Sequence, residues 1–387
     1  MANKIIPYGK QNISQDDINA VIDVLKSDWL TQGPAVPAFE NAIAEYCGAH
    51  YACAANSATS ALHIACLALG VGEGDIVWTS PISFVASSNC ALYCGAEVDF
   101  VDIELETGNM SVAALQEKLA IAKQNNRLPK AVIPVHLAGQ SCDMQIIAKL
   151  AKQYNFKVIE DASHAIGAKY KDKPVGSCEY SDITVFSFHP VKIITSAEGG
   201  MAVTNSAELD KRMKRLRSHG ITNHPEEMTE PSHGPWYYQQ LELGFNYRMT
   251  DMQAALGLSQ LKQLNNFVTV RNDIAKTYNH AFANSDIVHL TQSDNCYSSY
   301  HLYVVRLTRS GIAKHKSIIT SMREQGIIAH LHYIPIHLQP YYQTLGFSEG
   351  DFPNAETYYK QAVTIPLYPT MTAYEQQLVT NILIGLL

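Results

Sequence analysis

Over roughly the first 205 residues, short apolar runs rich in β-branched residues alternate with segments of helical period, and few folds admit that alternation. Strands separated by crossover helices are covered on both faces, so they read as continuous apolar runs. The pattern predicts an α/β domain with a mostly parallel central sheet and helices on both faces. Strands are expected at 75–78, 97–102, 130–136, 157–161, 182–187 and 200–204. Ser14, ahead of Asp16 and Asp17, caps a first helix, and 34–46 has the apolar spacing of a second.

Beyond this region, 219–244 is rich in His, Pro, Gly and Glu, lacks a period and reads as a long loop of the kind that is often functional. Thr250 caps a helix running to about Leu264, strands are expected at 300–307 and 327–333, and a last helix starts from Thr372. The expected organisation is a large domain with an N-terminal arm over 1–245 and a smaller C-terminal α/β domain over 246–387.

A chain of 387 residues, 47% of them hydrophobic, can bury a large core. Its net charge of −7, without any basic block, gives no footprint for nucleic acid or an anionic membrane. No apolar stretch approaches the roughly 20 residues of a membrane span, and the N-terminus lacks a signal-peptide core, so a cytoplasmic location is expected. The eight cysteines are scattered without a Cys-x-x-Cys pair, which predicts reduced thiols rather than a disulfide or zinc framework. No metal site is implied.

Five segments carry chemistry. Lys192 closes Ser187-Phe188-His189-Pro190-Val191-Lys192, just past an apolar strand, where a desolvated amine can lose its proton and attack an aldehyde. Asp161 ends Val158-Ile159-Glu160-Asp161 and His164 follows it; a carboxylate at a strand's C-terminal end lies at the crevice where open α/β sheets bind ligands. The segment 56–63 joins a short strand to a small-residue helix whose open N-terminal amides suit a phosphate. Phe84, in 81–87, can stack on a planar ring, and Asn246, in 244–251, offers an amide donor. Taken singly, Lys192 reads as a solvated lysine, Asp161 and Ser57 as helix caps, and Asn246 as a turn residue.

In this order and spacing, the segments resemble the DegT/StrS family of nucleotide-sugar aminotransferases, which has the fold-type-I aminotransferase architecture. The likeness extends from Tyr8 to the last helix. It implies pyridoxal 5′-phosphate as cofactor, carried by Lys192, which also moves the proton between the substrate carbon and the cofactor. It further implies that Asp161 pairs with the pyridine nitrogen, and that His164, where many relatives have Gln, lies near the ring hydroxyl. Ala58, Thr59 and Ser187 would hold the phosphate, and Phe84 would stack on the ring. Asn246 is expected to reach the phosphate from the partner subunit of a homodimer with shared sites.

Segments 30–33, 56–62, 81–86, 186–189, 217–220 and 332–333 most resemble the branch of pseudaminic acid synthesis that aminates C4 of UDP-2-acetamido-2,6-dideoxy-β-L-arabino-hex-4-ulose, with glutamate as donor. By that likeness the sugar nucleotide meets Tyr8, Asp28, Trp29, Leu30, Thr31, Leu331, His332, Tyr333 and Ile334. Trp29 and Ile193 depart from the branch's pattern. Arg217, Arg248 and Arg323 are the candidates for the donor's carboxylate. The alternatives are an aminotransferase for another UDP- or dTDP-keto-6-deoxy sugar and a non-catalytic effector-binding module of the same fold.

Overall fold

In the computed structural model, which describes residues 5–308 and 310–387, the Ser14 hydroxyl accepts the Asp17 amide at 3.2 Å and the Asp17 carboxylate accepts the Ser14 amide at 2.8 Å. This capping box opens α1 (Gln15–Leu25) by satisfying two of the amides that a helix start leaves free. α2 (Ala35–Cys47) ends at Gly48, whose φ of +72° is the left-handed turn that glycine adopts without a steric cost. Then β1 (Tyr51–Ala55), α3 (Ala58–Ala68), β2 (Ile76–Thr79), α4 (Ala86–Tyr93), β3 (Glu97–Phe100), α5 (Val112–Gln124), β4 (Ala131–Ile133), α6 (Met144–Tyr154) and β5 (Lys157–Asp161) alternate. A small hairpin, β6 (Lys169–Tyr170) and β7 (Lys173–Pro174), precedes β8 (Ile183–Ser187), β9 (Gly200–Thr204) and α7 (Ala207–Leu216).

The central sheet has seven strands in the order β1-β9-β8-β5-β4-β2-β3, and only β9 runs against its neighbours. Period two assigns the side chains of β8 to two cores. Ile183 and Val185 pack with Ile64 and Cys66 of α3, whereas Phe186 packs with Phe39 and Ile43 of α2. Burying each such side chain contributes about 2 kcal/mol, so the helices on both faces hold the sheet through its alternation.

The expected loop at 219–244 contains a short antiparallel pair, β10 (Ile221–Thr222) and β11 (Gln239–Gln240). The helix capped by Thr250 is α8 (Asp251–Leu261), and after a break at 262–263 the chain continues as α9 (Leu264–Phe282). The smaller sheet joins β12 (Ile287–His289), β14 (Tyr303–Leu307) and β15 (Ala362–Ile365), while β13 (Cys296–Tyr297) pairs with β6. Tyr278, Phe282, Val305, Val363, Val379 and Leu383 build its core with α9 and the closing helix Ala373–Leu386.

One expected strand does not form. Across 327–333 only Ile327, bridged to Ile6, and His330, bridged to Thr364, make ladder contacts. The His330 ring accepts the Leu331 amide at 2.8 Å, which takes that donor out of any ladder. The N-terminal arm docks beside this segment: Ile6 donates to Gly326, and Ile328 donates back to Ile6. Among the described residues no helix is long and apolar enough to cross a membrane. All eight cysteines are free thiols.

Candidate active site

Asp161 ends β5 beside Val185 of β8, so its side chain emerges where the parallel strands stop. The residue is 4% exposed. Its Oδ1 accepts the Ser163 amide at 3.1 Å and its Oδ2 accepts the Ser87 hydroxyl at 2.6 Å, so both oxygens are held. Neither Ser83 nor Ser87 was singled out from the sequence, because a serine just before a helix or in its first turn reads as an ordinary cap or spacer.

Lys192 is carried by the loop between β8 and β9, which closes on itself. The Phe188 carbonyl accepts the Ser196 amide at 3.0 Å and the Thr195 hydroxyl at 3.0 Å, and Phe188 donates to Gly199 at 2.9 Å. Ile193 and Ile194 anchor the loop in the core that contains Phe39. Lys192 keeps partial solvent contact although its amine is buried. Burial lowers its pKa to about 8, and the Asp161 charge opposes that shift.

An anion cradle lies along the same strand ends. Ser57 caps α3 by accepting the Ser60 amide at 3.1 Å, while the amides of Ala58 and Thr59, in the first turn, have no place in the helix ladder. Ala55, Gly200 and Ser187 are register partners across β1, β9 and β8. A Cβ on Gly200 would lie 2.4 Å from the Ser57 oxygen and 2.5 Å from the Ala58 nitrogen, so only glycine lets β9 close on this helix start. That approach brings Ser187 alongside the α3 N-terminus, whose dipole favours an anion.

The crevice wall is aromatic. Phe84 is 60% exposed, and its ring centre is 6.5 Å from that of Tyr333. His164 bonds Tyr333 at 3.0 Å, and its ring is 4.5 Å from that of His301, a buried residue the sequence reading missed because a histidine in an apolar run resembles any core histidine. Burial first, then the Lys192 charge, holds both His164 and His301 well below the usual histidine range. His332 is pushed down to about 3, again mainly by burial. The Tyr8 ring lies 5.3 Å from His330 and 5.1 Å from His332, and Gly9 lies against Val191, so the N-terminal arm borders the lysine loop. Leu331 is half-buried and Ile334 exposed on the same segment.

Two groups of expected site residues are exposed in the single chain. Asp28, Trp29, Leu30 and Thr31 are exposed in the α1–α2 turn, where Thr31 bridges Thr250 and Leu30 accepts the Asp251 amide at 3.0 Å. Asn246 is exposed a few residues before Thr250 and bridges Ser218. Of the three arginines, Arg217 donates through Nη1 to Glu40 at 2.5 Å and to the Ala54 carbonyl at 2.6 Å. Arg323 donates to the Ala329 carbonyl at 2.9 Å, and Arg248 is half-buried beside Asn246.

The crevice combines a low-pKa amine, a fixed carboxylate, an anion cradle and an aromatic wall, and known proteins share its frame. A UDP-4-amino-4,6-dideoxy-N-acetyl-beta-L-altrosamine transaminase of Campylobacter jejuni is 39% identical over 389 residues, covering 99% of this chain and 98% of that protein. The structure of Helicobacter pylori PseC, an aminotransferase involved in the biosynthesis of pseudoaminic acid, superposes with a TM-score of 0.90 at 32% identity over 99% of both chains. The pyridoxal-phosphate form of Spr1654 from Streptococcus pneumoniae, assigned as a sugar aminotransferase, gives 0.89 at 29% identity over 99% of this chain and 98% of that one. The family profile itself matches residues 11–384, and the chain belongs to the DegT/DnrJ/EryC1/StrS aminotransferase family.

Proposed function

We propose that this aminotransferase moves the amino group of glutamate to C4 of UDP-2-acetamido-2,6-dideoxy-β-L-arabino-hex-4-ulose in the cytoplasm, using pyridoxal 5′-phosphate, as a homodimer that shares its sites. The carrying observation is the Lys192 amine, buried on the loop that follows β8, with its pKa lowered to about 8 and with Asp161 as its charge neighbour. The names borne by the C. jejuni and H. pylori relatives support the sugar.

The residues present fit the cofactor. Lys192 would carry it, Ala58, Thr59 and Ser187 would hold its phosphate, Asp161 would meet its ring nitrogen, Phe84 would cover one face and His164 would stand near its ring hydroxyl. When bound, pyridoxal phosphate supplies an aldehyde and an electron-withdrawing ring. The protein's own part is orientation and proton handling. Lys192, with its pKa near the working pH, can take a proton from the donor's carbon and return one to the acceptor's. The rings of Phe84 and Tyr333 keep water from the reacting atoms. Tyr8 and the 331–334 segment would line the sugar's path.

The exposed turn 28–31 and Asn246 support the dimer. They lie together near Thr250 and are exposed in the single chain, which leaves them free to meet a partner's site. To test the function, the purified protein is incubated with glutamate and a panel of UDP- and dTDP-linked 4-keto- and 3-keto-6-deoxy sugars, and the products are identified by mass and NMR. Amination of the β-L-arabino ketone at C4 is expected. Preference for its C5 epimer or for a dTDP-3-keto sugar would reassign the acceptor, and failure to aminate any ketone would overturn the activity.

A further inference from the structure

We propose that Ser87, itself oriented by Ser83, is the positioning residue of the cofactor-side carboxylate: its hydroxyl holds Asp161 Oδ2 and sets the carboxylate plane relative to the Phe84 ring. The inference rests on the reading of Asp161 given above and adds two residues to it.

The direction of each hydrogen bond follows from counting protons. The Ser87 Oγ lies 2.6 Å from Asp161 Oδ2, 2.6 Å from the Ser83 Oγ and 3.3 Å from the Phe84 carbonyl. It owns one hydrogen, and a carboxylate is the strongest acceptor of the three. Ser87 therefore donates to Asp161, which leaves Ser83 to donate to Ser87. Each bond polarises the next, so the pair holds the carboxylate more firmly than either hydroxyl alone. Both serines are buried, Ser87 fully, so water does not substitute for either.

The geometry couples two functions on one short turn. Residues 83–87 carry the Phe84 ring and, on either side of it, two hydroxyls, of which that of Ser87 bonds Asp161 and that of Ser83 bonds Ser87. Any rotation of this turn moves the stacking face and the carboxylate together. A carboxylate held at both oxygens, by Ser163 and by Ser87, keeps its remaining lone pairs in a fixed direction. The titratable groups whose charge meets Asp161 are Lys192 and Tyr333.

The test uses the holoenzyme and its Ser87→Ala, Ser87→Thr, Ser83→Ala and Asp161→Ala variants. Three quantities are measured: the pyridoxal-phosphate dissociation constant of the reconstituted protein, the pH titration of the bound cofactor's visible absorbance, and kcat with KM for glutamate. Ser87→Ala is expected to weaken the cofactor about tenfold, as for one lost bond to a charged group, to displace the absorbance midpoint, and to lower kcat more than it changes KM. Ser87→Thr should restore all three, and Ser83→Ala should move them less in the same direction. Native affinity and titration in Ser87→Ala overturn the proposal, as does equal damage by Ala and Thr, which would indicate packing. If Ser87→Ala does not fold, native values in Ser83→Ala overturn it instead. Asp161→Ala separates the two levels, because native cofactor behaviour there would sink the underlying reading of Asp161 itself.

Discussion

His164 Nε2 lies 3.0 Å from the Tyr333 hydroxyl, and a backbone amide decides which of the two donates. The Ala138 amide donates to His164 Nδ1 at 3.3 Å, and burial keeps the imidazole neutral. The ring hydrogen must then sit on Nε2 and point at Tyr333. The Tyr333 oxygen is the acceptor, so its own hydrogen remains for the crevice. Tyr333→Phe is expected to slow single-turnover amination of the keto-sugar about a hundredfold, the scale of one donor lost from a developing oxyanion. Combined with His164→Gln, the two losses should be non-additive by about 1 kcal/mol, since the residues share one bond. Strict additivity in that double-mutant cycle would show that the bond is not used in turnover.

The Lys192 amine titrates near 8 in the fold, against an ordinary lysine value of about 10.4. Between these values the unfolded chain binds a proton that the folded chain does not, so stability of the apo-protein rises with pH through that window and is level below it. Lys192→Met, which lacks the amine, should lose this slope as well as all turnover. Urea titrations below, within and above the window measure it; an unchanged slope would place the amine in ordinary solvent.

At pH 7 the lowered value leaves about two hundredfold more neutral amine than an ordinary lysine has. Association of pyridoxal phosphate with the apo-protein should therefore accelerate as pH rises to about 8 and then level off. Borohydride should afterwards fix the cofactor on Lys192, as read by peptide mapping. A label on any other lysine would contradict the site.

Gly200→Ala places a methyl group 2.4 Å from the Ser57 oxygen, where only backbone could yield. The expected cost is about 1–3 kcal/mol of stability. Because the strain falls on the start of α3, affinity for inorganic phosphate in the apo-protein should fall with it. Isothermal titration would show native phosphate binding if the cradle lay elsewhere.

Asp251 is fully buried and its carboxylate accepts the amides of Gly33, Ala35 and Val36 at 2.8, 2.8 and 3.3 Å, fixing the turn that carries residues 28–31. Asp251→Asn replaces one acceptor oxygen with a donor facing amides, and should destabilise the chain by about 2 kcal/mol or more. If that turn serves the partner's site, KM for the sugar nucleotide should rise while cofactor affinity holds. The same shared-site arrangement predicts that mixing Asn246→Ala with Lys192→Ala subunits restores some activity, since one hybrid site is complete. No recovery after verified subunit exchange would refute it.

The sequence alone was sufficient wherever the cause is local. Period and apolar runs placed β5 and β9 at their observed bounds, Ser14 and Thr250 were recognisable as caps, the last helix was placed from Thr372, and Asp161 and Lys192 were identifiable as polar residues at the end of, and just past, apolar strands. All of these depend on neighbours within a few positions. What depended on distant partners could not be read from the sequence. Ser87 meets Asp161 across 74 residues, His164 meets Tyr333 across 169, and Arg217 is claimed by Glu40 across 177. The expected strand at 327–333 failed for a related reason, because the strand beside it offered only Thr364 and the His330 ring had taken the next amide. A hydrogen-bonding group goes to whichever partner packing leaves within about 3 Å, and only the folded chain specifies that partner.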